Sequence, residues 1–241
     1  MLWDPVTRRR LIAAGIGMGQ RCLEVGAGGG SVARMMAELT GTRVVAVDMD
    51  PRFLDPGDSR YEVRKLDITR EAALNGEQFD VIHCRFLLMH LPDPGAVLRT
   101  FGRCLTSGGF VLVEEANMLT WTAADSTAPG ADLLNRVIHL SLEAAESAGV
   151  WRNALGPRLP RLLTAAGLIG GECDGACSVA ADHHPEIIAL TIQSLQLAAT
   201  SGLAAGVINQ ADVEAAVAVM RARQAGQITP TVFGVVGRRP H

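Results

Sequence analysis

The sequence predicts an α/β fold built on a doubly wound, mostly parallel sheet, and three observations carry that prediction. Short β-type runs alternate with helix-period stretches through residues 20–117, the pattern left by strand–helix–strand crossovers. The first run, Cys22-Leu23-Glu24-Val25, passes directly into Gly26-Ala27-Gly28-Gly29-Gly30 and then, from Ser31, into a helical pattern. The next two runs each close on an acid, Asp48 and Asp67. A parallel sheet takes its ligands beyond the carboxyl ends of its strands, where the glycine stretch and both acids fall.

Composition bounds the reading. A chain of 241 residues with 48% hydrophobic residues holds one large α/β domain or one domain with a modest cap. A net charge of −3 gives no electrostatic case for nucleic acid or an anionic membrane. Lys65 is the only lysine, and Arg8-Arg9-Arg10 reads as a solvated helix face. The five cysteines, Cys22, Cys84, Cys104, Cys173 and Cys177, lack disulfide-framework spacing, and no secretory leader pattern opens the chain. No apolar run is read as membrane-spanning, so a reducing cytoplasm is the expected compartment. Cys173 and Cys177 with His183-His184 could be drawn as a metal site, but their spacing is looser than paired zinc ligands use, and no metal is expected.

Taken in order, Asp4-Pro5 opens a helix over residues 6–13 that ends at Gly15 or Gly17. Trp3 either caps the core or closes over a ligand pocket. Residues 21–25 form the first strand, and residues 31–39 a helix with Val32, Met35, Met36 and Leu39 on one face, ended by Gly41. Residues 44–48 form the second strand, residues 51–58 a short helix and turn, and residues 61–66 a third strand closing at Asp67-Ile68. The fourth strand covers residues 79–84, leaving His83-Cys84-Arg85 at its end, and His90 reads equally as a structural histidine buried ahead of Pro92 and as a functional one. A helix over residues 95–104 and a turn at Ser107-Gly108-Gly109 lead to the fifth strand, residues 110–114. It delivers Glu114-Glu115-Ala116-Asn117 to the carboxyl edge of the sheet.

The ligand that fits this edge is a nucleoside with a positive charge. Gly28, Gly30 and Ala33 match a dinucleotide fingerprint only weakly. Glu24 instead stands two residues before the first glycine, giving E-x-G-x-G-x-G, and a carboxylate there suits a cation better than pyrophosphate. Asp48, 18 residues after Gly30, is placed to accept hydrogen bonds from ribose hydroxyls. With the ordered acids, FDVIHCRFLLMHL and LTSGGFVLVEEAN, residues 20–117 resemble the class I S-adenosylmethionine-dependent methyltransferases. They are most similar to small-molecule enzymes of the ubiquinone and menaquinone biosynthesis type.

That resemblance implies a Rossmann-like, seven-stranded sheet with an antiparallel last strand, and S-adenosylmethionine as cofactor with S-adenosylhomocysteine as product. It implies a cofactor site made of Glu24, Gly26, Ala27, Gly28, Asp48, Met49, Asp67, Ile68, Cys84 and Arg85. In it Met49 packs on the adenine face, Asp67 receives the adenine amino group, and Ile68 lies at the ring edge. On the residues alone, Asp67 also reads as a turn residue, Met49 as core, and Arg85 as the partner of a surface acid.

Beyond residue 117 the pattern departs from a minimal fold. Residues 131–148 form a strongly amphipathic helix with Leu134, Ile138 and Leu142 at helical spacing, and His139 lies on it. Residues 158–166 form the last sheet-side helix, a sixth strand follows within residues 168–180, and residues 229–236 close the sheet. Between those two strands lie helices over residues 185–199 and 210–225, the second opened by an Asn209 cap with Asp212 three residues on. The expected organisation is one domain, residues 1–241, with helical cover segments at 118–158 and 181–227.

Methyl transfer from a sulfonium is an in-line displacement, so the protein mainly aligns the acceptor and removes water. A base is needed when the acceptor is a hydroxyl, an ammonium or a carbon acid. His83, His139 and Glu115 are the leading candidates, with Glu114, His183 and His184 behind them. The apolar cover segments favour a small organic acceptor in secondary or quinone-like metabolism. The expected partners are that small molecule, with no nucleic acid and no membrane, and a homodimer is left open. Two other readings stand beside it: a protein of this fold that binds the cofactor without methylating, as a cyclase, decarboxylase or regulatory subunit, and a nicotinamide-dependent oxidoreductase.

Overall fold

The computed structural model describes residues 2–70, 74, 76–180 and 185–241. The strands are β1 (Cys22–Val25), β2 (Val44–Asp48), β3 (Tyr61–Lys65), β4 (Phe79–Arg85), β5 (Leu105–Asn117), β6 (Ile169–Ala176), β7 (Val179–Ala180), β8 (Gln227–Ile228) and β9 (Thr231–Arg238). The helices are α1 (Asp4–Ala14), α2 (Ser31–Thr40), α3 (Pro94–Cys104), α4 (Ala131–Ser147), α5 (Leu159–Ala165), α6 (Pro185–Ala204) and α7 (Gln210–Ala222).

Seven strands form one sheet in the order β3-β2-β1-β4-β5-β9-β6, and β7 pairs with β8 separately. β1 to β5 run parallel, with Glu24 level with His83 across the β1–β4 pair and Arg85 level with Glu114 across β4–β5. The last strand is antiparallel and inserts between β5 and β6. Strand order therefore reverses direction between β1 and β4. In an open α/β sheet that switch point is where a crevice opens beyond the strand ends.

The chain forms two compact units, one of Met1–Glu115, Gly156–Asp174 and Phe233–His241, the other of Ala116–Leu155 and Gly175–Val232. In the first, β1 is buried along its whole length, as a central parallel strand with four apolar or paired residues must be. Leu11 and Ala14 of α1 and Val32 and Met36 of α2 pack with Cys22, Val44, Val81, Phe110 and Leu112 of the sheet. Burying each large side chain there contributes about 1.5–3 kcal/mol. Helix ends follow local chemistry: Gly41 closes α2 in the left-handed conformation, and the Asp93 carboxylate accepts the Ala96 amide at 3.0 Å to open α3.

In the second unit α4 packs against α6 and α7. Leu134, Val137, Ile138 and Leu142 of α4 are buried, as are Leu195 and Ala198 of α6 and Val213 and Met220 of α7. The Asn209 cap forms a full capping box: its side chain accepts the Asp212 amide at 2.9 Å while Asp212 accepts the Asn209 amide.

Several sequence expectations shift. β5 starts at Leu105 rather than residue 110, because Ser107-Gly108-Gly109 continues the strand through a register irregularity instead of turning ahead of it. The short helix after β2 is a single tight turn, Pro51–Phe53. Arg10 is not on a solvated helix face: it is buried, while Arg8 and Arg9 are exposed. His90 is exposed rather than buried ahead of Pro92. The 20-residue α6, with mean hydropathy 1.4 over its best window, is long and apolar enough by length and composition to cross a membrane, although 44% of that window is buried by packing. Its alanines and threonines hid that length among less apolar neighbours.

Candidate active site

The chain leaving β1 turns at Gly26, whose φ is +70°, and its amide together with that of Ala27 donates to the Val47 carbonyl of β2 at 2.9 and 3.1 Å. A side chain at Gly26 would press on Leu87, 3.2 Å from the nearest atom, so this glycine is closed in. Gly28 is different. Its φ is +52°, and a Cβ there would meet nothing within 4 Å, so bare main chain faces open space. The Gly28 amide donates to Asp48 Oδ2 at 2.9 Å, and Asp48 Oδ1 accepts the Asp50 amide at 2.9 Å. The carboxylate that closes β2 is thereby aimed across the glycine turn.

Beside it, Met49 is 68% exposed and Ile68 is buried. Asp67 Oδ1 accepts the Thr69 hydroxyl at 2.6 Å and the Thr69 amide at 3.0 Å, and these bonds hold its carboxyl below the usual range. The turn-residue reading of Asp67 therefore describes its local geometry. Tyr61 and Lys65 stand four residues apart, the spacing of the short-chain dehydrogenase pair, but both lie on β3, where an extended chain separates them by about 13 Å. Tyr61 is moreover in the core, its hydroxyl accepting the Asp55 amide at 3.1 Å.

Behind the glycine turn lies a buried row of charges. Glu24 Oε2 is 2.6 Å from His83 Nδ1, and His83 Nε2 is 3.0 Å from Glu114 Oε2. Glu114 Oε1 accepts Arg10 at 2.6 Å, the Thr7 hydroxyl donates to Glu114 Oε2, and Arg10 Nε donates to Asp174 Oδ1 at 2.6 Å. Glu24, His83 and Glu114 are 3%, 0% and 0% exposed. Burial alone would push the histidine towards neutrality, but the Glu24 and Glu114 carboxylates overcome it and hold the imidazolium up to about 9. Burial would also raise Glu114, yet His83, Thr7 and Arg10 bring it down to about 2. Arg85, two residues beyond His83 on β4, donates to Asp4 at 2.9 Å and to the Thr7 hydroxyl at 2.8 Å. Burial would raise Asp4, but its charged contacts, that with Arg85 first among them, leave its carboxyl below the usual range.

The structure thus brings Glu24, His83 and Glu114 together in one interior row. Thr7 and Arg10 belong to the same row and were missed, because partners more than 100 residues away leave no local signal.

Glu115 sits apart from that row. Its Oε1 accepts the Leu87 and Leu88 amides at 2.9 and 2.6 Å, while its buried Oε2 has no hydrogen-bond partner. Burial raises it to about 8 against the pull of those amides. It fastens the turn after β4, where Phe86 takes φ +55° and Leu87 lies against Gly26. Cys84 is wholly buried, and burial with the nearby Glu115 and Glu24 charges raises its thiol well above the usual range. His139 lies on the exposed side of α4, its Nε2 3.1 Å from Glu143 Oε1. His183 and His184 lie outside the described residues. Cys173 and Cys177 are free, exposed thiols, and among the described residues no three His, Cys, Asp or Glu side chains gather as a metal set.

Known proteins resemble this chain in sequence and fold. A family model described as Methyltransferase domain matches residues 6–165. A ubiquinone biosynthesis O-methyltransferase of Pseudomonas putida is 39% identical over 106 residues, 41% of this chain and 45% of that protein. Methyltransferase str2 of Strobilurus tenacellus is 30% identical over 116 residues, 48% of this chain and 42% of that protein. The chain therefore matches less than half the length of these curated relatives. Among solved structures, a Haemonchus contortus phosphoethanolamine N-methyltransferase bound to S-adenosylhomocysteine superposes with TM-score 0.57 at 17% identity, over 98% of this chain and 53% of that one. The [4+2]-cyclase SpnF superposes with TM-score 0.56 at 16% identity, over 99% of this chain and 83% of that one. At such identities the superpositions speak for the fold, and the family match, over well more than half of the chain, establishes that it belongs to the methyltransferase-domain family.

Proposed function

We propose that this chain is an S-adenosylmethionine-dependent methyltransferase acting on a small organic molecule. The observation that carries the reading is the pairing of bare, open main chain at Gly28 with the Asp48 carboxylate 2.9 Å from its amide. A nucleoside can lie against that backbone, and its ribose hydroxyls can take over the carboxylate that the loop amide now engages. The donor set fits the cofactor: one acid for the ribose, exposed Met49 and buried Ile68 for the adenine, and Asp67 for its amino group.

S-adenosylmethionine supplies an electrophilic methyl on a sulfonium. The chain's own residues bind and orient: Gly26, Ala27 and Gly28 shape the cradle, and Asp48 and Asp67 fix its polar edges. Glu24 contributes as a buried charge beneath the turn. Cys84 and Arg85 end β4, with Arg85 holding α1 through Asp4 and Thr7. Neither His83 nor Glu115 is open to a substrate, since both are buried. His139 is open, 62% exposed on α4. The acceptor class follows from the family and from its curated relatives, whose names include an O-methyltransferase of ubiquinone biosynthesis. The five free thiols suit a reducing cytoplasm.

A second reading is favoured by one observation. SpnF, a cyclase, shares the fold, and burial of the candidate bases His83 and Glu115 suits a site that performs no deprotonation. Calorimetry with S-adenosylmethionine, S-adenosylhomocysteine and NAD(P) separates the cofactor classes. A methyl-sized mass gain in quinol or phenol acceptors then separates methyltransferase from cyclase or binder, and binding of NAD(P) alone would contradict the proposal.

A further inference from the structure

The interior row holds one proton more than its parts ordinarily carry. A carboxylate only accepts hydrogen bonds, and a neutral imidazole has a single N–H to give. His83 nevertheless has a carboxylate oxygen at each ring nitrogen, 2.6 Å away on Glu24 and 3.0 Å on Glu114. Both contacts are hydrogen bonds only if the histidine is an imidazolium, or if one of the acids is protonated. Arg10 and Thr7 already donate to Glu114, which leaves the extra proton on the His83–Glu24 side.

The charges facing His83 can be followed element by element. β1 supplies Glu24 and β5 supplies Glu114. Arg85 follows on β4 and is neutralised by Asp4 of α1. Arg10 of α1 reaches Glu114 on one side and Asp174 of β6 on the other, and Asp174 is also met by exposed Arg9. With the proton present, Glu24, His83, Glu114 and Arg10 sum to zero. Without it the group carries one negative charge, buried away from solvent, with Gly26 just past the end of β1 and two residues from Glu24.

We infer that His83 is a positioning residue whose proton sets the charge beneath the glycine turn, so that the site tells a sulfonium cofactor from its neutral thioether product. The inference rests on the proposed cofactor. A cation settling over the turn disfavours the imidazolium and favours loss of its proton, whereas a neutral thioether leaves the proton in place. By reciprocity, a site that has lost this proton holds the cation more tightly. Rising pH therefore strengthens binding of S-adenosylmethionine relative to S-adenosylhomocysteine, whose own affinity this proton leaves unchanged.

The test is calorimetry of both ligands at pH 8.5, in buffers of differing ionisation enthalpy, on the full chain and its His83→Gln variant. Subtracting the variant removes the titration of each ligand's own amine. The expected result is an excess release of about half a proton per S-adenosylmethionine bound by the wild type and none with S-adenosylhomocysteine. Equal proton counts for the two ligands overturn the inference while leaving the cofactor assignment standing. Failure of both ligands to bind overturns the assignment and the inference with it. If His83→Gln does not fold, nitrogen-15 NMR of histidine-labelled wild type answers instead. Two protonated ring nitrogens at pH 7, titrating at lower pH with S-adenosylmethionine than with S-adenosylhomocysteine, are expected; identical titration with the two ligands contradicts the inference.

Discussion

Arg10 of α1 and Glu114 of β5 meet at 2.6 Å with their side chains only 6% and 0% exposed, an ion pair closed away from water. Removing one partner leaves an uncompensated interior charge, which costs about 3–5 kcal/mol, whereas an exposed pair is worth less than about 1. Arg10→Ala is therefore expected to lose several kcal/mol in urea denaturation. Arg9→Ala, whose side chain is 65% exposed beside Asp174, should change little. Equal losses would mean that the row behind the glycine turn does not fasten α1.

The pH dependence of stability follows from two groups. Glu115 is raised from 4.5 to about 8 in the folded chain, so the unfolded chain gives up this proton first. Its stabilising contribution is complete below 4.5 and is lost as pH rises through about 8, a change on the order of 5 kcal/mol. Glu115→Gln removes that slope while keeping an oxygen for the Leu87 and Leu88 amides, so its advantage over wild type should grow between pH 5 and 8. His83, raised from 6.5 to about 9, adds a loss in the same direction between those values. Wild type denatured at higher urea concentration at pH 9 than at pH 6 would contradict both assignments.

The two glycines of the turn should respond differently. Gly28→Ala places a methyl where nothing lies within 4 Å, at a φ of +52° that costs about 1–2 kcal/mol. Stability should fall by that amount, and S-adenosylhomocysteine affinity by more than tenfold, because the methyl fills the ligand's side of the turn. Gly26→Ala pushes on Leu87 from 3.2 Å and should cost more stability, as Leu87 is itself tied to Glu115. Thermal unfolding beside calorimetry reads both quantities.

In the helical unit, Asn209→Ala removes the acceptor of the Asp212 amide and should cost about 1 kcal/mol. Hydrogen exchange should locate the loss in the first turn of α7. Exchange unchanged there would show that the capping box does not hold that end.

What was legible in the sequence was local. The first two strands, α2 and the Asn209 cap each follow from spacing within one element, and the glycine turn with Asp48 follows from two neighbouring strand ends. The rest depended on residues far apart in the chain. Arg10 sits in a run of three arginines that are alike in sequence, and only the one turned towards Glu114, 104 residues on, is buried. Glu114 and Glu115 are adjacent and chemically identical, but strand alternation sends them to opposite faces. One meets His83 and Arg10 and drops to about 2; the other meets backbone amides and rises to about 8. Ser107-Gly108-Gly109 looks like a turn by composition, yet Gly108 and Gly109 exchange backbone hydrogen bonds with Arg239 and so remain in the sheet.

The most direct test is the affinity of S-adenosylhomocysteine for the purified chain and for Asp48→Ala, measured by calorimetry at pH 7. The account predicts that the wild type binds and that the variant, folded as judged by circular dichroism, binds at least tenfold more weakly. Unchanged affinity in the variant would contradict it.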